Sequence, residues 1–371
     1  MLSGWVLFWV AVGALCALCG VLAALLVVAD RVLNNYGTRT IRINGGEKTI
    51  VGPGGETLLS LLGSEKLFIP SACGGRGSCG LCKLKVTRGG GSLLPTEEPH
   101  LSNAERAAGT RLACQLKVRE DMDIEVPRHL FAIRQFRARV AALEPLTYDI
   151  KRLRLELLDP ETISFVPGQY VQLQTPVYGK NPDPVYRAYS IASDPTADRH
   201  LDLIIRLVPN GICTTWVFTL LKVGDEVRLN GPYGEFRLHD TEHEMIFIAG
   251  GSGMAPFLSF LAELQRQQSR RRIRYFFGAR AVRDLFLLER LREFEKNLAD
   301  FRFIPALSEP QPGDNWDGER GLITDVVGRH YPDCADKEAY LCGSPGMCDA
   351  CVKVLTQHGL PADRISFDKF A

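Results

Sequence analysis

The sequence has no excess of charge of either sign, because 44 lysines and arginines stand against 43 aspartates and glutamates. A net charge of +1 gives no electrostatic reason to expect a nucleic acid as partner. Eleven cysteines in 371 residues are too few for a scaffold built on disulfides, so their spacing must decide what they do. Internal repeats and low-complexity segments are absent, and 46% hydrophobic residues exclude general disorder. The length exceeds one ordinary core, and at least two domains are therefore expected.

Charged side chains are also absent from Met1 to Ala29, and the part from Trp5 onward is almost wholly apolar. A helix of this length reaches about 37 Å, which is enough to cross a hydrocarbon layer of about 30 Å. We therefore predict a single transmembrane anchor over residues 1–30. A cleaved secretory signal is the alternative, but it would carry basic residues before a shorter apolar core and a small-residue cleavage site after it.

Positive charge instead follows the apolar segment, at Arg31, Arg39, Arg42 and Lys48. Basic residues flank a membrane span mainly on the cytoplasmic side. The remaining chain is therefore expected on the cytoplasmic side of a membrane that the protein crosses once.

Three blocks with different patterns follow the predicted anchor. Residues 40–127 combine short strands with short helices, one of which begins at a capping box formed by Ser102 and Glu105. Residues 136–238 consist of β-rich runs broken by Gly and Pro, which favours an antiparallel barrel. Residues 244–371 alternate apolar strands with helices, which favours a doubly wound parallel sheet. The predicted fold is thus multidomain, α+β and α/β.

The strongest chemical motif is a Gly-rich loop with three cysteines, Cys73-Gly-Gly-Arg-Gly-Ser-Cys79-Gly-Leu-Cys82, followed after 31 residues by Cys114. Four thiolates grouped as three and one are the ligand set of a ferredoxin-type 2Fe-2S cluster. The first gap is one residue longer than in the plant-type spacing, so the loop is a variant. A structural zinc site would need two separated C-x2-C pairs or histidine partners. The glycines would let the backbone curl tightly around the cluster sulfur. With the strands and short helices around it, the block resembles a β-grasp ferredoxin domain.

A candidate flavin motif is Arg187-Ala188-Tyr189-Ser190, at the end of a β-rich run. On an extended chain, Arg187 and Tyr189 project to one side, where the guanidinium can hold a phosphate and the phenol can pack on a flat ring. Gly211 then leads into a helix that carries Thr214, and a helix amino terminus suits a pyrophosphate. An ordinary strand with one surface arginine remains the alternative for the first motif alone.

Two further turns suit a nicotinamide dinucleotide. The first turn is Gly250-Gly251-Ser252-Gly253-Met254-Ala255-Pro256, a strand-to-helix turn that lets phosphates approach the backbone. It differs from the G-x-G-x-x-G fingerprint, and tight packing is the alternative. The second turn runs from Cys342 and Gly343 to Met347, and Arg280 follows another apolar strand. Cys348 and Cys351 fall on the helix after the second turn, which disfavours a second metal site with Cys342.

In this order the motifs resemble the ferredoxin-NADP reductase superfamily with a fused ferredoxin domain. The chain is similar, over nearly its whole length, to the family of the F subunit of the sodium-translocating NADH:quinone oxidoreductase. This similarity includes the four cysteines, Arg-Ala-Tyr-Ser, Gly231-Pro-Tyr-Gly-Glu-Phe236 and the run Ala306–Trp316. The segment between Val208 and Gly211 is shorter than in the family, and the chain ends Asp368-Lys-Phe370-Ala where the family has an acidic pair, Phe and glycines.

The resemblance implies a path from NADH to FAD and then to the cluster on Cys73, Cys79, Cys82 and Cys114. It places Phe370 over the flavin ring, Cys342 at the nicotinamide, and Arg280 on the adenosine side. It also implies a location in the cell inner membrane with the catalytic domains in the cytoplasm, other membrane subunits as partners, quinone as the ultimate acceptor and a link to sodium transport. Arg280 could also hold a 2′-phosphate, so the preference for NADH over NADPH rests on the resemblance.

Two other functions fit the same modules. One is an NADH-dependent reductase component that feeds an oxygenase, which would not need the amino-terminal span. The other is a membrane-anchored ferredoxin-like carrier with inactive flavin and nicotinamide sites, which the intact Arg187, Tyr189 and glycine turns disfavour.

Overall fold

The computed structural model describes residues 4–33, 36–179, 181 and 184–370. Its first element is the long helix α1 (Gly4–Leu33), whose segment Gly4–Ala29 has a mean hydropathy of 2.7. None of that segment is buried within the protein. A helix that is apolar all round and covered by no other part of the chain suits a hydrocarbon environment, as the sequence predicts. Residues 1–3 of the predicted span and Ala371 at the end of the predicted third domain lie outside the described residues.

The protein divides into two compact units, of which the first comprises the chain up to Ile69 together with Cys82–Leu130. Beyond α1, this unit contains a five-stranded sheet formed by β1 (Thr38–Ile43), β2 (Lys48–Pro53), β3 (Lys83–Arg88), β4 (Thr110–Leu112) and β5 (Met122–Glu125). The strand order is β2-β1-β5-β3-β4, in which only β1 and β5 are parallel. This mixed sheet confirms the predicted β-grasp arrangement, with β4 at one edge.

Two short helices, α2 (Leu58–Ser64) and α3 (Asn103–Ala107), complete the first unit. The predicted capping box of α3 is confirmed, because Glu105 N–H donates to Ser102 Oγ and Ser102 N–H donates to Glu105 Oε2. This reciprocal pair satisfies two amides that the helix cannot satisfy itself.

The second unit comprises Pro70–Leu81 and the chain from Phe131 onward. Its first part is an antiparallel sheet of β6 (Arg134–Pro145), β7 (Ile150–Asp159), β8 (Tyr170–Thr175), β9 (Val185–Ser190), β10 (His200–Arg206) and β11 (Glu226–Tyr233). The order is β10-β7-β6-β11-β8-β9, and a bridge between Ile191 and Leu203 joins its two ends. The sheet therefore curls into the predicted barrel, and helix α4 (Ile212–Thr219) packs Trp216 and Val217 into its core.

The rest of the second unit is a six-stranded parallel sheet of β12 (Glu244–Gly250), β13 (Ile273–Ala279), β14 (Phe301–Leu307), β15 (Glu319–Arg320), β16 (Lys337–Gly343) and β17 (Ile365–Lys369). The strand order is β15-β14-β13-β12-β16-β17. Four helices accompany it: α5 (Ala255–Arg266), α6 (Leu288–Asn297), α7 (Ile323–His330) and α8 (Pro345–Gln357).

Neighbouring residues of β12 point into different cores on the two faces of this sheet. Phe247 packs in one cluster with residues of α5, whereas Ile246 and Ile248 pack in another with residues of α7 and α8. The doubly wound parallel fold is thereby confirmed. Helix α6 begins only at Leu288, because Leu287 adopts a left-handed φ of +53°.

Candidate functional site

Strand β9 of the second unit carries the predicted flavin motif. Arg187 is half-buried and donates from Nη1 to the Tyr186 carbonyl oxygen at 2.7 Å. Burial, reinforced by the nearby cation Arg76, lowers the pKa of the Arg187 guanidinium. A partly buried cation whose strongest charged neighbour is another cation would be stabilised by an anionic ligand. This arrangement fits the phosphates of FAD.

Most of the cysteine loop, Pro70–Leu81, belongs to the second unit, as does the flavin motif, and the two are in direct contact. A Cβ built at Gly74 would collide with Arg187 Nη1 and the Tyr186 carbonyl oxygen, and Gly74 has a φ of +64°. Only glycine satisfies both the close approach and the left-handed backbone there. The loop that carries Cys73 and Cys79 is therefore packed onto the strand that carries the flavin motif.

The amino terminus of α4 is the predicted phosphate site. Gly211 is the N-cap, and no side chain caps the helix, so its first amides are available to an anion. Thr214 is buried, and its Oγ1 accepts from Val208 N–H at 3.1 Å. The hydroxyl thus holds the preceding loop against the helix, a role that the sequence did not indicate.

The first nicotinamide turn follows β12 and touches the second. A Cβ at Gly253 would collide with the carbonyl oxygen of Cys342, so the two turns meet backbone to backbone. Ser252 is half-buried, whereas the predicted binding residues Met254, Ala255 and Pro256 are buried in the core. Those three can therefore contribute through backbone shape but not through side-chain contact with a ligand.

The second turn contains Cys342, which is 0% exposed, and burial raises the pKa of its thiol so that it stays neutral. Met347 lies across both turns, with its Sδ 3.1 Å and its Cε 2.7 Å from the Cβ positions built at Gly250 and Gly343. Ser344 caps α8 by accepting from Met347 N–H at 3.4 Å. Sequence reasoning missed Ser344, although Ser before Pro-Gly at a helix start is a capping signal.

The last strand brings the end of the chain to both motifs. Asp368 lies opposite Cys342 in the pairing of β16 with β17, and its Oδ2 accepts from Ser190 Oγ at 3.0 Å. Phe370 is half-buried and donates from its backbone N–H to the Gly343 carbonyl oxygen at 2.9 Å. Asp368 was not predicted as a site residue, because its partner Ser190 is 178 positions away in the sequence.

Arg280 is exposed at the carboxyl end of β13, beside the run Ala306–Trp316. Its carbonyl oxygen accepts from Glu309 N–H at 2.8 Å, and Ser308 N–H donates to the Ala279 carbonyl oxygen at 3.0 Å. Carboxyl ends of parallel strands form the crevice where dinucleotides bind. The position suits the adenosine side of such a ligand.

The four predicted cluster ligands form two pairs. In the second unit, the thiols of Cys73 and Cys79 lie 3.4 Å apart, and this hydrogen bond lowers the pKa of Cys73 to about 3. In the first unit, Cys82 and Cys114 are buried, and Ala113 N–H donates to the Cys82 carbonyl oxygen at 2.8 Å. Within the described ranges, no three His, Cys, Asp or Glu side chains gather closely enough to hold a metal ion. The complete ligand set therefore rests on the sequence spacing and on these two pairs.

The glycines of the loop fit a backbone that wraps a cluster. All four adopt left-handed φ values between +64° and +86°: Gly74, Gly75, Gly77 and Gly80. Their predicted role in a tight curl is confirmed. The other buried cysteines of the second unit lie in apolar cores, namely Cys213, Cys334, Cys348 and Cys351.

Comparison with known families matches three consecutive parts of the chain. Residues 41–119 match the family model of the 2Fe-2S iron-sulfur cluster binding domain, residues 137–238 the oxidoreductase FAD-binding domain, and residues 247–353 the oxidoreductase NAD-binding domain. FAD, NADH and a 2Fe-2S cluster are therefore its cofactors.

Solved structures with the same fold include reductases of oxygenase systems. The chain resembles the cytochrome P450 reductase of Amycolatopsis, with 30% identity, a TM-score of 0.73, and coverage of 90% of this chain and 99% of that one. A ferredoxin reductase in carbazole 1,9a-dioxygenase is 27% identical with a TM-score of 0.68 and the same coverage.

Curated relatives match even more of the chain. The F subunit of the Na(+)-translocating NADH-quinone reductase of Marinomonas sp. (strain MWYL1) is 36% identical over 94% of this chain and 95% of the relative. The protein of the same name from Pseudomonas aeruginosa (strain UCBPP-PA14) is 37% identical over 98% of both chains. By descent as well as by fold, this chain belongs to the family of the F subunit of the Na(+)-translocating NADH-quinone reductase.

Proposed function

We propose that this protein is the membrane-anchored electron-input subunit of a Na(+)-transporting NADH:quinone oxidoreductase. It takes electrons from NADH through FAD to a 2Fe-2S cluster and on, through other membrane subunits, to quinone. The observation that carries this proposal is the match over 98% of the chain to the Pseudomonas aeruginosa relative. Because α1 makes up 30 of the 371 residues, an alignment over 98% of the chain must include most of this helix.

The nicotinamide would enter at the junction of the two turns. Gly253 and Gly343 allow the two turns to approach each other closely there, and the neutral Cys342 thiol presents no charge to the ring. Phe370, which covers the flavin in this proposal, must move aside before NADH can approach. FAD, once bound, accepts an electron pair as hydride and releases electrons singly, which joins a two-electron donor to a one-electron cluster.

Flavin binding is assigned to Arg187, Ala188, Tyr189 and Ser190, with Gly211 and Thr214 shaping the phosphate site. Arg187 supplies the charge that the phosphates need, and the neighbouring Tyr189 supplies a partly buried ring surface. Burial raises the pKa of Tyr189 well above its ordinary value, so its hydroxyl stays a neutral hydrogen-bond partner. The dinucleotide site adds Arg280 and the turn from Gly250 to Pro256.

Cys73, Cys79, Cys82 and Cys114 are assigned as the four cluster ligands. Thiolate ligands, tight left-handed glycines and ligands that approach from two segments are what a ferredoxin-type cluster requires. The corresponding domains are assigned to residues 40–127 for the cluster, 136–238 for FAD and 244–371 for NADH. The transmembrane anchor is assigned to residues 1–30.

We assign the protein to the cell inner membrane, held there by this anchor with its cofactor domains in the cytoplasm. The basic residues behind the span support this orientation. Gly4–Ala29 contains no charged side chain, so this span alone offers no route for an ion. In this proposal the chain supplies the electrons, and sodium transport is a property of the whole complex.

A second candidate is the reductase component of an oxygenase. It is favoured by the likeness to the Amycolatopsis P450 reductase, which extends over 99% of that chain. The same three cofactor modules in the same order serve both functions. The amino-terminal span favours the respiratory function, and the identity of the electron acceptor distinguishes the two directly.

Anaerobic NADH titration of the detergent-solubilised protein tests the electron path. We expect bleaching of flavin absorbance and the electron paramagnetic resonance signal of a reduced 2Fe-2S cluster. If neither appears in cofactor-replete protein, both functions are excluded. Reduction of a quinone analogue by native membranes, lost on deletion of the gene and restored by the full chain, separates the respiratory function from the oxygenase function.

A further inference from the structure

The first unit contains a fully buried ion pair that the electron path does not use. Glu97 is 0% exposed and the Arg111 side chain 7% exposed, and Arg111 Nη2 lies 2.6 Å from Glu97 Oε2. Burying two charges is costly unless their remaining hydrogen-bonding capacity is also satisfied. The hydrogen bonds around the pair therefore show which segments of the chain it joins.

All three nitrogen atoms of the Arg111 guanidinium donate hydrogen bonds. Its Nε donates to both carboxylate oxygens of Glu97 at 3.0 Å, and Nη1 donates to the Gly90 carbonyl oxygen. Its Nη2 also donates to the Ser92 carbonyl oxygen at 3.0 Å. The cation thus ties the loop that follows β3 to Glu97.

The Glu97 carboxylate accepts a backbone hydrogen bond at the edge of the sheet. Its Oε1 accepts from the backbone N–H of Leu112 at 2.8 Å. Gly109 and Ala113 both form backbone hydrogen bonds with the β3 side of the sheet. In an antiparallel pair only every second residue forms such bonds, so the N–H of Leu112 points away from β3. Because β4 is the edge of the sheet formed by the described strands, Glu97 accepts this hydrogen bond in place of a neighbouring backbone carbonyl.

Cys114 lies two residues beyond this bond. On one side the strand end is held by Ala113 N–H, which donates to the Cys82 carbonyl oxygen at 2.8 Å. On the other side Glu97 holds Leu112 N–H, and Leu59 N–H of α2 donates to the Ala113 carbonyl oxygen at 2.9 Å. Gln115 N–H then donates to the Leu112 carbonyl oxygen at 2.9 Å, which closes a turn around Cys114.

We propose that Glu97 is a positioning residue for the iron-sulfur cluster: it fixes the end of β4, and thereby Cys114, while Arg111 holds Glu97 in place. This inference rests on the proposed function, which makes Cys114 a cluster ligand. Groups that orient metal ligands in this indirect way commonly change metal affinity by about 10-fold to 100-fold when they are removed.

The test is Glu97→Gln in the full-length, detergent-solubilised protein with all cofactors. We expect FAD content and the rate of flavin bleaching by NADH to match the wild type. The cluster should be lost to an iron chelator about 10-fold faster or more. Its resonance signal should be shifted or broadened, and its midpoint potential should rise, because the loss of the Glu97 charge leaves the Arg111 cation unneutralised on the strand that leads to Cys114.

A matched control is Glu125→Gln, which breaks the exposed ion pair between Lys85 and Glu125 in the same sheet. This variant should retain the cluster, the signal and the potential of the wild type. Wild-type cluster retention, signal and potential in Glu97→Gln would overturn the proposal, as would equal losses in both variants.

A double variant, Glu97→Leu with Arg111→Met, keeps the test decisive if Glu97→Gln does not fold. It removes both charges, which buried pairs tolerate better than the loss of one partner. We expect it to fold and to bind FAD but still to lose its cluster rapidly, since Leu112 N–H has no acceptor. Wild-type retention would show that the pair serves folding alone. Absence of any cluster from the wild-type protein would instead refute the proposed function.

Discussion

Ser190 Oγ donates to Asp368 Oδ2 at 3.0 Å, which joins the strand of the flavin motif to the last strand of the chain. Asp368 also lies opposite Cys342, at the nicotinamide turn. One carboxyl group therefore connects the predicted flavin and nicotinamide motifs. Burial raises its pKa, and the bond from Ser190 opposes that effect only in part.

The first prediction concerns the pH dependence of stability. The folded pKa of Asp368 lies above its ordinary value of 3.8, so the folded state binds this proton more tightly than the unfolded state. The resulting stabilisation is complete below the ordinary pKa and is lost as the pH rises through the raised pKa. Asp368→Asn should remove this pH-dependent contribution to the free energy of unfolding. The difference in melting temperature between variant and wild type should therefore depend on pH in that window, and a constant difference would contradict the prediction.

The second prediction tests the packing of the cysteine loop on the flavin motif. Gly74→Ala should weaken FAD binding by about 10-fold or more, since left-handed backbone alone costs about 1–2 kcal/mol and the new Cβ meets Arg187. Fluorescence titration of the deflavinated protein measures this affinity. The control is Gly63→Ala in α2, where a Cβ meets nothing within 4 Å and the helix gains stability. Equal FAD affinity in both variants would refute the predicted role of Gly74.

The third prediction separates NADH binding from FAD binding. Gly253→Ala pushes the first nicotinamide turn away from the Cys342 carbonyl oxygen. We expect full FAD content but a kcat/KM for NADH lowered by about 100-fold, as small misplacements of reacting groups can cost. Stopped-flow absorbance of flavin reduction is the measurement. Gly346→Ala, in the first turn of α8 with open space at its Cβ, should retain normal rates.

The fourth prediction concerns the cover of the flavin. If NADH must displace Phe370, then Phe370→Ala should bind NADH more tightly. The gain should be about 1–2 kcal/mol, or roughly 5-fold to 30-fold in Kd, which is the contribution of a partly buried aromatic side chain. Equilibrium titration with a non-reducing NADH analogue measures it, and Phe367→Ala at an exposed position of β17 is the control. Unchanged affinity in Phe370→Ala would place this ring outside the nicotinamide path.

The fifth prediction concerns α1. Deletion of residues 1–33 should release the protein from membranes while flavin reduction by NADH continues at the normal rate. Quinone reduction by the membranes should fall, because the electron donor is no longer held near its acceptor. Fractionation and activity measurement check both points. A truncated protein that still supports normal quinone reduction would show that the anchor is dispensable for delivery.

Local patterns predicted much of the fold and of the site. The capping box at Ser102 and the left-handed glycines of the cysteine loop follow from short-range backbone chemistry, and both were predicted. The start of α6 was not, because an apolar helical pattern does not reveal the left-handed φ of Leu287.

Contacts between distant positions lay beyond sequence reasoning. The bond between Ser190 and Asp368 and the meeting of Gly253 with Cys342 depend on which strands become neighbours. The buried pair of Glu97 and Arg111 depends on β4 being an edge strand. Side chains such as Met254 look the same in sequence whether a turn exposes them to a ligand or buries them in a core.

The strand that carries Asp368 and Phe370 is itself an edge. In the parallel sheet β17 is hydrogen-bonded to β16 alone, whereas β12 lies at the centre between β13 and β16. The end of the chain nevertheless packs into both cores of the sheet, through Ile365 in one cluster and Phe370 against the other, and Asp368 bonds to Ser190. If NADH displaces Phe370, the movement can therefore be confined to Phe370 itself, while the remainder of the dinucleotide fold stays intact.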